Sequence, residues 1–338
     1  MQNRRDFIHH ALMSLAAAAN IPAIAGTERQ PGDKKIGLIG LDTSHSPAFT
    51  KIINDPSDTS MKGFSVTHAY RYGSKTIESS ASRIPQYTEE MKALGITITE
   101  SLEQLVESVD LIMLMTNDGT VHYQQILPVL EAGKPVFVDK PVAAGLVDVI
   151  RIFDAVDQRK IPMFSSSPLR FIEGAQKVRY EGVVGDVIGA EAFSPQKTEP
   201  SHTDLYWYGI HGVEILFTMM GTGCVEVSRR IEKFQDIVVG RWDDGRIGTY
   251  RGDLEGRQYY GGTAYGTKGV QAVGPFSGYA PLVKSIIAFF RDLKPPVAHK
   301  ETLELYTFME AADESKRQGG AWVSLQHVFD SAAKRARQ

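Results

Sequence analysis

Across residues 34–166 the apolar positions fall in short β-rich runs separated by stretches with helical spacing, the pattern of a parallel sheet covered on both faces. The runs predict strands at 35–39, 65–70, 96–98, 111–115, 135–138 and 161–164. Ser101, with Gln104 three residues on, forms a capping box that opens a helix running to Ser108, and Gly133 stops the helix that carries His122 and Leu130. Ser46 followed by Pro47 reads as an N-cap with proline at the first helical position, so the first helix is expected at Pro47. Residues 40–45 then form a loop at the carboxyl edge of the first strand, where open α/β sheets bind ligands.

After Phe164 the pattern changes. A helical stretch at 208–220 is followed by alternating segments at 229–237, 238–242, 246–251, 258–264 and 269–273, with Asp243, Asp244 and Gly245 as a hairpin signal. Helices at 279–293 and 302–316, separated by Pro295 and Pro296, close the chain. The fold class is α/β: an N-terminal Rossmann-like doubly wound parallel sheet at 34–166, then an α+β domain with a mostly antiparallel sheet at 167–338.

The first 25 residues follow another pattern. Arg4 and Arg5 precede a weakly apolar, alanine-rich run that ends at Ala23, Ile24 and Ala25, as in a twin-arginine export signal, with residues 26–33 as a linker. A basic amphipathic helix is the competing reading. No other stretch approaches the ~18 apolar residues of a membrane span. Removing the leader takes away Arg4, Arg5 and Asp6 and moves the formal net charge from -3 to -4, a balance that does not suit nucleic acid. The single cysteine, Cys224, excludes an intrachain disulfide and packs as a small hydrophobe.

The loop after the first strand nearly spells the dinucleotide fingerprint G-x-G-x-x-G. Gly40 fills the first glycine position, but Asp42 and His45 fill the second and third. Two like charges about 4 Å apart repel by about 1 kcal/mol in water and about 4 kcal/mol near a protein surface, so an ionised Asp42 facing a pyrophosphate would weaken binding tenfold or more. The second strand ends at Tyr70 and Arg71 rather than at an acidic residue. An arginine there suits a 2′-phosphate, which makes NADP at least as good a candidate as NAD; it also suits a surface position.

Four segments resemble the Gfo/Idh/MocA family, the relatives of glucose-fructose oxidoreductase and inositol dehydrogenase. Thr116, Asn117 and His122 fit its T-P-x-x-x-H stretch, with Asn117 for the proline and the histidine one residue late. Asp139, Lys140 and Pro141 fit a strand ending in E-K-P. Gly209, His211 and Glu214 fit the second half of D-x-G-x-H-x-x-D, with Trp207 for the first aspartate and Glu214 for the last. Residues 266–269 fit a turn in the family's sheet. The resemblance covers the mature chain and implies a sugar or polyol oxidoreductase using NAD or NADP. It implies cofactor contacts from Gly40, Asp42, Thr43, Ser44, His45, Arg71, Thr116, Asn117, His122, Asp139 and Lys140, and a homo-oligomer. Lys140 would reach the nicotinamide and a substrate hydroxyl, and His211 would accept the hydroxyl proton. That fits the chemistry, since imidazole titrates near neutral pH and a fixed ammonium stabilises a developing alkoxide. On a helix His211 and Glu214 share a face, so the carboxylate is expected to orient the imidazole or raise its pKa, and Glu214 is also a candidate substrate contact. Tyr206, Trp207 and Tyr208 are candidates for an aromatic wall beside a sugar, or for interdomain packing.

Each of these residues also has a plain structural reading: Lys140 as a solvated loop lysine, His211 as a core histidine, His122 as a capping or packing residue. For residues 42–45 three readings stand. Asp42 and Thr43 cap backbone donors and the cofactor lies slightly displaced; or the dinucleotide site is lost and the scaffold is a redox-silent lyase, hydratase or glycosidase; or Asp42, His45 and His122 hold a metal, for which no ligand spacing such as C-x-x-C speaks. A non-catalytic carbohydrate-binding protein is the remaining class.

Overall fold

The computed structural model describes residues 33–256 and 259–338. The proposed export signal and most of the linker lie outside the described residues, as does Gln258. The first domain runs β1 (Lys34–Ile39), α1 (His45–Ile53), β2 (Phe64–Tyr70), α2 (Glu78–Ala81), α3 (Ile84–Ala93), β3 (Thr97–Thr99), α4 (Leu102–Ser108), β4 (Leu111–Leu114), α5 (His122–Glu131), β5 (Val136–Asp139), α6 (Leu146–Arg159) and β6 (Met163–Ser166). Every strand pairing is parallel, in the order β3-β2-β1-β4-β5-β6. The order reverses between β1 and β4, the switch point at which such sheets bind ligands. All four residues of β4, β5 and β6 are buried, which is why β4 and the first three residues of β5 are continuous apolar runs and not alternating ones. The Ser101 hydroxyl accepts the Gln104 N–H at 3.1 Å, as the capping box predicts.

The second domain continues with α7 (Glu173–Gln176), β7 (Val187–Pro195), α8 (Asp204–Trp207), α9 (Ile210–Met220), β8 (Cys224–Ile231), β9 (Gln235–Trp242), β10 (Ile247–Asp253), β11 (Gly261–Gly266), β12 (Gly269–Val273), α10 (Ala280–Asp292), α11 (His299–Arg317), β13 (Val323–Ser324) and α12 (Leu325–Ala336). Its sheet has the order β12-β11-β7-β10-β9-β8-β13, antiparallel except that β7 runs parallel to β10. The pattern misses β7 because the strand carries Gly189, Ala190 and Ala192; the buried Ala190 and Ala192 let α9 lie close against it. It also misplaces a turn. Residues 229–237 hold no glycine or proline, yet the chain reverses at Lys233 and Phe234, where Glu232 and Gln235 exchange backbone hydrogen bonds. The hairpin at Gly245 (φ 88°) stands where expected.

The last helices tie the domains together. Leu282, Val283, Ile286, Ile287, Phe289 and Phe290 of α10 join Ile36, Leu38, Phe49 and Phe137 in one core on a face of the first sheet. At about 1.5–3 kcal/mol for each fully buried large side chain, this helix is a major part of the first domain's stability. Arg229 and Arg170, both buried, are each surrounded by carboxylates.

Candidate active site

A cavity of about 300 Å³ lies at the carboxyl edge of the first sheet, walled by both domains. From the first domain come Thr43, Ser44 and His45 after β1, Asn117 after β4 and Lys140 after β5. From the second come Trp207, Tyr208 and His211 around the start of α9, with Tyr260 and Tyr279. Lys140, His211 and most of the dinucleotide loop therefore converge as the resemblance implies.

The loop departs from expectation in its detail. α1 begins at His45, two residues before Pro47, with Ser44 at the cap; the Ser46 hydroxyl donates to the Gly40 carbonyl at 2.9 Å, and Pro47 sits within the first turn, where a missing N–H costs nothing. Gly40 has φ 94°, and a Cβ there would lie 2.5 Å from the Thr116 hydroxyl, so the first-glycine turn is kept. Asp42 is fully buried, and its carboxylate accepts the N–H groups of Ser74 and Asn117, each at 3.0 Å. Burial pushes its carboxyl above the usual range while those two donors pull it back. A Cβ on Gly73 would sit 2.5 Å from that carboxylate, so only glycine lets the segment after β2 close over it. Asp42 is a backbone cap and does not line the cavity.

His45 stacks on Phe49, meets Tyr279 edge-on, and places Nδ1 2.6 Å from Asp139 Oδ2. Burial would raise Asp139, but the adjoining His45 and Lys140 hold it below the usual carboxylate range. His211 binds the Ser167 hydroxyl through Nδ1 at 2.7 Å. Burial first, then the charges of Lys140 and His45, hold it well below the ordinary imidazole range, so it is neutral at pH 7.

Several expected roles are corrected. Glu214 does not orient His211: it is drawn to the buried Arg170 and accepts the Ser167 N–H at 3.0 Å. It acts on the imidazole only through Ser167. Tyr206 is no substrate wall, since it is fully buried and donates to the Tyr306 carbonyl, leaving Trp207 and Tyr208 as the aromatic face. His122 is completely buried between the carbonyls of Thr116 and Val142, a strut behind the site. Asp42, His45 and His122 each have separate partners and form no common ligand set. Arg71 lines a different cavity, of about 360 Å³, with Lys75 and Lys92. Asp139 lies behind His45. Three cavity residues, Arg83, Lys197 and Tyr279, carried no signal in the sequence because loops far apart in the chain bring them in.

His202 closes the site from behind, its Nε2 accepting the Gly119 N–H at 3.0 Å and its ring against Trp207 at 5.1 Å. Burial lowers it to about 4 from the 6.5 of the unfolded chain. A depressed histidine favours the neutral form, so its contribution to stability is complete above pH 6.5 and is lost as pH falls toward 4. Unfolding free energy is expected to fall by up to about 3 kcal/mol over that window, and urea titrations of His202→Gln should show a flatter pH dependence.

The residues fit the two ends of a dinucleotide differently. The cavity beside Lys140 fits a nicotinamide ring. The usual course of the adenosine half, over β1 toward β2, is crossed by this chain's own residues 73–80: Ser74 donates to Asp118 at 2.7 Å and Asn117 to Ser80 at 2.9 Å. At the start of α1, His45 N–H already meets the Thr43 hydroxyl, Ser46 N–H meets the Thr43 carbonyl and Pro47 has none, so the helix offers few of the free donors a pyrophosphate uses.

A parallel sheet of this order, a cavity at its switch point and an antiparallel-sheet domain closing it define a two-domain protein of the Rossmann class. Residues 34–165 match the model of the GFO_IDH_MocA oxidoreductase family, described as having an NAD-binding Rossmann fold. Over that domain the chain is similar to the Gfo/Idh/MocA family. A Thermotoga maritima structure described as a probable dehydrogenase superposes with a TM-score of 0.71 at 17% identity, covering 87% of this chain and 99% of that one. The Lactobacillus casei scyllo-inositol dehydrogenase with bound NAD(H) and scyllo-inositol superposes with a TM-score of 0.69 at 14% identity, covering 87% and 99%. An uncharacterized oxidoreductase of Streptococcus pneumoniae serotype 4 is 29% identical over 100 residues, which is 28% of this chain and 27% of that protein. The family model, whose description is NAD-binding, supports NAD or NADP as the cofactor.

Proposed function

We propose that this chain is a dehydrogenase acting on a CH–OH group of a sugar, polyol or sugar derivative with a nicotinamide nucleotide as hydride acceptor. The observation that carries the reading is the convergence of Lys140, His211 and the His45–Asp139 pair on one enclosed cavity with an aromatic wall. Among the described residues, Arg83, Lys140 and Lys197 line that cavity and no carboxylate does, which favours an acidic sugar derivative. The paired arginines near the N-terminus support export in the folded state, which would let the enzyme load a cytosolic cofactor first. Homo-oligomerisation is supported by Ile247, Tyr265 and Val270, which stand in one exposed cross-strand row through Gly189.

A redox-silent lyase or hydratase on the same scaffold is favoured by one observation, the Ser74–Asp118 and Asn117–Ser80 ties across the adenosine course. The deciding experiment denatures the purified protein, identifies released nucleotide by mass spectrometry, and titrates the stripped protein with NADH and NADPH. Released nucleotide, or micromolar binding, is the expected result and opens a screen of inositols, aldonic acids and uronic acids for turnover. No nucleotide and no binding up to millimolar concentration would overturn the dehydrogenase reading in favour of the second.

A further inference from the structure

Two imidazoles reach the cavity, one from each domain, and their partners leave them with opposite free nitrogens. His45 faces Asp139 through Nδ1 at 2.6 Å. An ionised carboxylate only accepts, so the His45 proton is on Nδ1 and the lone pair is on Nε2. Asp139 is 2% exposed, and its other oxygen, Oδ1, has no hydrogen-bond partner among the described residues.

His211 is arranged the other way. Its Nδ1 partner, the Ser167 hydroxyl, already accepts the Leu169 N–H at 3.1 Å. Among the described residues that hydroxyl has no other acceptor for its own proton, so it donates to His211 Nδ1, and the His211 proton is on Nε2. Nε2 is then a donor with no lone pair to offer.

We propose that His45, oriented by Asp139, takes the proton of the substrate hydroxyl, and that His211 donates a hydrogen bond from Nε2 to the same oxygen. The proposal rests on the dehydrogenase reading for the step it serves. The substrate O–H bond breaks and an N–H bond forms at His45 Nε2. The oxygen's electron pair becomes the second bond of the carbonyl as the C–H pair leaves as hydride, for which a nicotinamide nucleotide, when bound beside Lys140, would be the acceptor. The imidazolium so formed stands beside the Asp139 carboxylate, whereas a proton on His211 would meet burial and the Lys140 ammonium. His45 is thus the catalytic base at the third-glycine position of the dinucleotide fingerprint, and Asp139 is its positioning residue.

Spectra of the full chain with ¹⁵N-labelled histidine at pH 8 test the tautomers without substrate, with assignment by loss of signals in His45→Gln and His211→Gln. The expected result is a proton on Nδ1 of His45 and on Nε2 of His211. Asp139→Asn and Ser167→Ala should release the respective rings to mixed tautomers. With the substrate pair found by the screen, His45→Gln is expected to lose at least about 100-fold in kcat with KM changed less than about threefold, in the range general-base removal produces. His211→Gln is expected to lose no more than about tenfold in kcat and to raise KM. Asp139→Asn should move the acidic limb of the kcat/KM pH profile, which a packing role would not do. A His45 proton on Nε2, or a dead His211→Gln beside an active His45→Gln, would overturn the proposal. If the native protein turns over no pair, the dehydrogenase reading has failed and the tautomer spectra alone decide whether His45 is poised as a base.

Discussion

Lys140→Met is expected to lower kcat/KM by about 10²–10³-fold while leaving urea stability within about 1 kcal/mol of the native protein. The stem of Lys140 lies along the cavity wall directly after β5, and the residue is 9% exposed. Methionine keeps that apolar stem and removes only the ammonium. On the dehydrogenase reading, what is lost is a fixed positive charge beside the oxygen whose negative charge grows as hydride departs, and removal of one such preorganised group costs about 3–4 kcal/mol of transition-state stabilisation. A second readout needs no substrate. The Lys140 charge is one of the influences that hold His211 down, after burial. In Lys140→Met the His211 ring should therefore take up its proton at higher pH than in the native protein, visible as an upward move of its imidazole titration by NMR. An unchanged titration would place Lys140 too far from His211 for both to act on one substrate oxygen.

Arg229→Leu is expected to destabilise the protein by about 3–5 kcal/mol, measured by urea unfolding followed through the fluorescence of Trp242 in the neighbouring strand. Arg229 is 2% exposed, donates twice to Asp236, and reaches Asp204 at 3.0 Å and also Asp313. One guanidinium thus links β8, β9, α8 and α11. Removing it leaves buried carboxylates without their counterion, which is far worse than never having had the pair. The sign of the pH effect follows. Burial already pushes Asp313 up to about 6, with Arg229 opposing. Without the arginine the folded state will hold its carboxyl protons to still higher pH. A carboxyl raised in this way adds stability below its unfolded value and loses it as pH rises, so the deficit of Arg229→Leu should be largest at pH 8 and shrink toward pH 5. A deficit that is small, or independent of pH, would show that the network does not carry this part of the fold.

Much of this was legible in the sequence, for identifiable reasons. The six strands of the first sheet are buried on one or both faces, so their apolar runs mark them within a residue or two. Lys140 and His211 stand in short motifs that survive substitution around them. What stayed hidden depends on residues that meet only in space. Asp139 is 94 positions from His45, and nothing local announces their contact. The i, i+3 spacing of His211 and Glu214 does place both on a buried helix, but Arg170, arriving from another segment, is the stronger partner for the carboxylate. β7 carries β-branched residues only at Val187 and Ile188, and the small Ala190 and Ala192 against which α9 packs leave the rest of the strand without a strong pattern. The charge conflict at Asp42 disappears once its two backbone donors are counted, since the side chain turns into the sheet edge and away from the cavity.

The return of α10 to the first sheet has a consequence for synthesis. Ile36, Leu38 and Phe49 leave the ribosome more than two hundred residues before Ile286 and Phe289 that cover them. Until then one face of the nucleotide-binding sheet is an open apolar surface, the kind that chaperones hold and that aggregates when they do not. The nascent N-terminal half is thus not an autonomous folding unit, and maturation of the chain waits for its last sixty residues. Completion of the fold is thereby signalled by the final fifth of the chain.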